Sequence, residues 1–271
     1  MLSDISRWLV YLNVVLYAVL GTLLFFLPEQ LAPVFAWSVT PFMTMTIGGW
    51  CLGNAWLAWI VARRWSWRLV YPALLYLWLF GIGELLVLSA FRDRVVLVHP
   101  IAWLYLITLF VTVITALVGL VDWIRIRPAI EPPARAMRTQ HRLGAILFVL
   151  FVGFLGLYGL TAPIGAPGTN GGIFPEIMSP FTLRSFGMFY LALALSAIPF
   201  LWNKNLDALL TYGLAAYGLI VFITSAGFVY IRLFDFVARP GGLAYFGAYL
   251  AVGIYFLFMF RSHGTGAARA A

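Results

Sequence analysis

Charge is scarce in this sequence. Only 10% of its 271 residues are charged, and lysine occurs once, at Lys204. Cysteine also occurs once, at Cys51, and the three histidines are His99, His141 and His263. A single cysteine excludes an intramolecular disulfide and a thiolate metal cluster within one chain. A buried, inert thiol is the ordinary state of such a residue. Only His99 stands beside a long apolar run, so a cytochrome with two bis-histidine haems inside the membrane is excluded. His99 as one axial ligand to a pigment is left open. No HExxH, cysteine pair or carboxylate cluster supports a metal site. Walker and GxGxxG patterns are missing, and the Gly-rich stretch 165–172 has the wrong spacing and no lysine after it. With Lys204 in a loop, no helix carries a lysine for a retinal-type Schiff base. No histidine lies near a candidate nucleophile along the chain, which gives serine-hydrolase chemistry no sequence support.

What fills the chain instead is apolar: 63% hydrophobic and 17% aromatic residues. Repeated apolar runs of about twenty residues read as bilayer-spanning helices. Eight are expected, at residues 8–27, 41–62, 69–90, 98–121, 143–161, 180–202, 206–230 and 241–260. The first run exceeds a signal-peptide core and lacks a small-residue cleavage pattern before Pro28, so a retained helix is expected. Pro28 ends it. Residues 28–39 form a loop with Leu31, Val34, Phe35 and Trp37, expected in the headgroup layer. The long loop 162–178 holds Asn170-Gly171-Gly172, a turn signal, and the tail 264–271 reads as frayed.

The net charge of +8 does not point to nucleic acid, which needs a clustered basic footprint. The arginines fall in short segments between apolar runs. Arg7, Arg63, Arg64, Arg68, Arg125, Arg127, Arg135, Arg138, Arg142, Lys204, Arg261 and Arg269 share one side if there are eight spans. Arg92, Arg94, Arg232 and Arg239 lie opposite, offset by four acids. Both ends are therefore expected in the cytoplasm, by the bias of arginine toward that side, and the bacterial inner membrane is the expected location.

The chain also repeats itself. Ser179-Pro180-Phe181, Gly187, Leu191, Ala194 and Ala197 match Thr40-Pro41-Phe42, Gly48, Leu52, Ala55 and Ala58 at a constant offset of 139 positions. The fold class expected is all-α and polytopic, two parallel four-helix repeats: residues 1–122, a Pro/Arg-rich linker 123–142, and residues 143–271. At about 100° per residue the matched positions fall on one side of the helix. Gly48, Ala55, Gly187 and Ala194 thus mark helix-packing faces, where small residues let backbones approach in lipid. Gly21, Gly153 and Gly156 can serve the same end.

Few polar groups lie within the spans. Arg184 replaces Met45 of the first repeat, about four residues or 6 Å into its helix. It either snorkels to headgroups or faces inward toward an anion or a carboxylate. Glu84 lies about two-thirds of the way across the third span. A carboxyl there is neutral, paired or beside a wet cavity. A Glu84–Arg184 contact between repeats is one expectation, and a protonated Glu84 on a backbone carbonyl is the other. His99-Pro100 and Arg239-Pro240 occupy matching places at the outer side, as an interfacial or polar rim. Asn13 and Asn54 are expected to bond between helices.

A first helix ending in Leu27-Pro28-Glu29, the Pro180-Phe181…Arg184…Gly187 entry to a second helix, and a basic turn after it resemble small DoxX-like four-helix membrane proteins. The chain resembles a fused pair of them over residues 9–260, with Met45 departing from the pattern. The resemblance implies an association with redox or quinone-linked membrane complexes, and no catalytic residue follows from it. The function expected is a non-catalytic membrane subunit or scaffold in a larger complex, with lipid and other membrane subunits as partners and no nucleic acid. The alternative is a quinone- or lipid-binding protein or carrier with an outer-leaflet site between the repeats near Glu84 and Arg184. No cofactor is named by the sequence.

Overall fold

The computed structural model describes residues 2–128, 133–163, 178–237 and 240–265. Among them are eight helices long and apolar enough to cross a membrane. They are α1 (Asp4–Phe26), α2 (Pro41–Arg63), α3 (Trp67–Ala90), α4 (Pro100–Ile126), α5 (Thr139–Thr161), α6 (Pro180–Ala197), α7 (Leu206–Val229) and α8 (Gly241–His263). The chain is an all-α polytopic membrane protein.

Local chemistry sets most helix starts. Thr40 and Ser179 occupy matching N-caps, accepting from the amides of Met43 and Thr182. Proline follows each at the first helical position, where it has no amide bond to lose. Ser3 and Asn205 cap α1 and α7 in the same way. α6 stops at Ala197, short of the expected residue 202, and tightens into a 3₁₀ turn, Ile198–Leu201. Pro199 within that turn cannot supply the next ladder donor. α4 runs past the expected end to Ile126, and α5 begins earlier, at Thr139. The helical part of the linker is therefore larger than its prolines suggest.

The central layer holds α2, α3, α6 and α7. α1 packs along α2 and α5 along α6; α2 lies against α7, and α3 against α6 and α7. The α2–α7 contact rests on Gly49 and Gly53. A Cβ on Gly53 would stand 2.7 Å from Leu219 Cα, and one on Gly49 3.2 Å from the Phe222 carbonyl carbon. Two glycines four apart give the close crossing that replaces hydrophobic drive in lipid.

The helix ends nearest the two chain ends share one face, here the terminal face. Asp122 near the end of α4 accepts from Ser3 Oγ, from the Ser3 amide and from Ser6 Oγ at the start of α1. Arg7 Nε donates to the Ala62 carbonyl, and Arg64 donates to Thr211 and to the Thr265 carbonyl. Arg135 pairs with Asp207 and donates to the His263 carbonyl. The opposite, far face carries an unexpected feature. Residues 28–39 do not rest in the headgroup layer as a whole. Phe35, Ala36 and Trp37 are buried, and the Ala36 carbonyl accepts from the Val96 amide. The aromatic content that suggested an interface is spent inside the bundle.

Candidate functional site

Glu84 is only 5% exposed. Its Oε2 accepts from Ser185 Oγ at 2.9 Å, a bond from α3 to α6. It does not meet Arg184. Arg184 Nη1 instead donates to the carbonyls of Gly159 and Ala162 at 2.8 and 2.9 Å. The last carbonyls of a helix lack intrahelical donors and carry its negative end, so a cation one helix away is held there. The expected Glu84–Arg184 pair is thereby corrected. Nor is Glu84 bonded to a backbone carbonyl; its partner is a serine hydroxyl.

Glu84 Oε1 has no protein partner. It lines a small cavity of ≈ 40 Å³. Trp50, Asn54 and Tyr105 line the same space, and Trp50 Nε1, Asn54 Nδ2 and Tyr105 Oη are likewise without a partner. The other end of the Asn54 amide is fixed, because Oδ1 accepts from Tyr76 Oη at 2.8 Å. A buried polar atom left unpaired costs about 1–3 kcal/mol, so four around one chamber are a built feature. Trp37 closes it toward the far face. Its ring stacks on Phe181 at 4.1 Å, and its indole nitrogen donates to Thr182 Oγ1 at 3.0 Å.

His99 is the N-cap of α4, half-buried, with no side-chain capping bond. No hydrogen bond or ion pair joins it to Glu84 or Arg184 among the described residues. Arg239, its expected counterpart in the polar rim, lies outside the described residues, as do the 170–172 turn and residues 266–271 of the tail. The small-residue positions are close approaches. Gly48 faces the backbone of Leu24 and Phe25 on α1; Gly187 faces that of Gly159 and Leu160 on α5. Gly21 faces Leu52 N, and Gly156 faces Leu191 N. Ala194 is buried 3.6 Å from a Cβ placed on Gly153, and Ala55 is buried in the core. Asn13 bonds between helices as expected, donating to Thr115 Oγ1 and accepting from Thr112 Oγ1 on α4.

Those Asn13 bonds matter for a second, larger space. α1 and α4 pack together, whereas α5 and α8 make no comparable contact among the described residues. They meet near the terminal face, where the rings of His141 and His263 stand 5.3 Å apart. Below that point a half-open cavity of ≈ 370 Å³ separates them. Phe151, Phe189, Leu193, Phe200, Leu219 and Phe256 are among its walls. Leu147, Phe151 and Phe154 line it and are also exposed, so its mouth faces lipid along α5. Tyr190 and Tyr249 bond hydroxyl to hydroxyl at 2.9 Å beside it. At its terminal-face end stand His141 and Tyr255, whose hydroxyl has no protein partner. Sequence reasoning did not find this site. Its walls are ordinary apolar residues, and only the splay of two helices makes them a cavity.

Among the described residues, no three His, Cys, Asp or Glu side chains converge to hold a metal ion. No family, curated protein or solved structure matches the chain.

Proposed function

We propose that this membrane protein holds one lipophilic molecule, a quinone or lipid, without catalysis, in the α5–α8 cavity. The observation that carries the reading is the cavity itself. Its ≈ 370 Å³ falls in the range of about 300–1,000 Å³ typical of ligand pockets, as does its apolar, aromatic lining with a few polar groups. An open side along α5 lets a guest enter from the bilayer. The Tyr255 hydroxyl, which has no protein partner, offers a hydrogen bond to a polar head at the terminal-face end. This moves the site away from the outer-leaflet position between the repeats that the sequence suggested.

The same reading takes the chain as two parallel four-helix units, α1–α4 and α5–α8. Its support is the matched pair of crossings, Gly21–Leu52 with Gly48–Phe25 and Gly156–Leu191 with Gly187–Leu160. The shared pattern is in keeping with the DoxX-like resemblance. The arginine bias supports a cytoplasmic terminal face.

A second reading, a scaffold subunit, has its own observation. Leu147, Leu150 and Phe154 on α5 and Ile254, Leu257 and Phe258 on α8 are exposed, so a helix of another membrane subunit fits against the same gap. Purification from native membranes in mild detergent, followed by solvent extraction and mass spectrometry, separates the two. A lipophilic compound near one per chain supports the first. A protein partner that cross-links to α5 and α8, with no lipophile retained, overturns it in favour of the second.

A further inference from the structure

The chamber around Glu84 lies apart from the α5–α8 cavity and has a different chemistry. Its groups define what can sit there. Indole Nε1 of Trp50 only donates, and Asn54, which lines the chamber, has its Nδ2 donor left over because its oxygen is taken by Tyr76. These donors repel a metal or ammonium cation. Glu84 Oε1 as a carboxylate repels an anion. Tyr105 Oη either donates or accepts. The guest must therefore accept from two N–H groups and donate to a carboxylate oxygen within a few ångströms, which is the chemistry of water. The volume of ≈ 40 Å³ holds about three or four waters, taking about 10–15 Å³ for each.

We propose that the chamber binds such a water cluster and that Glu84, through it, is a proton-binding carboxyl inside the membrane. The step balances as a relay: the water beside Glu84 gives one proton to Oε1 as it takes one from the next water, so the cluster stays neutral and leaves a carboxylic acid still bonded to Ser185. The groups facing Glu84 suit this role. α1 contributes Tyr17, α2 contributes Cys51 with Trp50 and Asn54, α3 contributes Phe80, α4 contributes Tyr105 and Thr108, and α6 contributes Ser185. None of them is an arginine or lysine, and the nearest by chain position, Arg184, is turned to the end of α5. Nothing in the chamber holds the carboxylate permanently charged. Trp37 stands between the chamber and the far face, so proton entry from that side passes its ring.

The test is infrared difference spectroscopy on the full chain in lipid nanodiscs, stepping from alkaline to acid pH in H₂O and in D₂O. A carboxylic C=O band of a buried acid is expected to grow on acidification and to be lost in Glu84→Gln. The band should shift in D₂O without unfolding and change frequency in Tyr105→Phe, which removes one water partner and leaves the ring. If Glu84→Gln does not fold, Tyr105→Phe and Ser185→Ala still carry the test, since each must displace the same band. A band that never titrates, that fails to exchange in the folded protein, or that is unmoved in both of those variants overturns the proposal. Stripping lipophile from the protein should leave the band unchanged, which keeps this result independent of the α5–α8 cavity.

Discussion

The guanidinium of Arg184 donates to the carbonyl of Ala162 at 2.9 Å, tying the first turn of α6 to the last residues of α5. With its second bond, to Gly159 at 2.8 Å, it closes a helix end inside the membrane. At the sequence offset of 139 positions stands Met45, packed with Phe25 and Ala226 in a small apolar cluster. The α5–α6 pair is thus tied by a charge where Met45 on α2 meets Phe25 of α1 by packing. Arg184→Met should cost about 1.5–3 kcal/mol, the range for hydrogen bonds to a charged group. Thermal unfolding in detergent measures the loss, and hydrogen exchange should locate it at the end of α5. Arg184→Lys should keep part of it.

Glycine substitutions should divide by location. A Cβ on Gly187 would stand 2.6 Å from Leu160 N, and one on Gly156 2.6 Å from Leu191 N. Neither backbone can yield, so Gly187→Ala and Gly156→Ala should each destabilise by about 1–3 kcal/mol. A Cβ on Gly247 meets nothing within 4 Å, and Gly247→Ala should show no such loss. Equal melting temperatures across the three would contradict the close crossing.

Asn13 should hold α1 to α4 more firmly than its size implies. Replacing it by leucine removes the bonds of 2.6 and 2.7 Å to Thr115 and Thr112. Interhelical hydrogen bonds in membranes average about 0.6 kcal/mol, so a loss near 1 kcal/mol is expected. The α1–α4 seam should then trap a cross-link between cysteines introduced on its two sides less readily.

Much of the architecture was legible because the bilayer restricts the choices. Eight apolar runs, Thr40-Pro41 and Ser179-Pro180 caps, and Gly48 and Gly187 as crossings all follow from local rules. Three things did not. Phe35 to Trp37 look interfacial by composition, and only the room between α4 and α6 draws them inside. Gly49 and Gly53 lie beside Gly48 in sequence but serve a different neighbour, α7, which no pattern within one helix reveals. Glu84 and Arg184 sit at matching depth, and depth alone suggested a pair. The Arg184 side chain turns instead to the unsatisfied carbonyls of α5, closer along its own side of the bundle, and leaves Glu84 to Ser185.

If the α5–α8 cavity holds a lipophile, filling the cavity must displace it. Ala251 on α8 lines the cavity and is exposed, so tryptophan there fills the space with little strain on the core. Native mass spectrometry of wild type and Ala251→Trp, released from the same membranes, reads the bound mass. Ala251→Trp should bind the lipophile at least tenfold more weakly, about 1.4 kcal/mol, and so retain clearly less of it, with an unchanged melting temperature. Full occupancy in a folded Ala251→Trp protein, or a wild type that carries no lipophile, would contradict it.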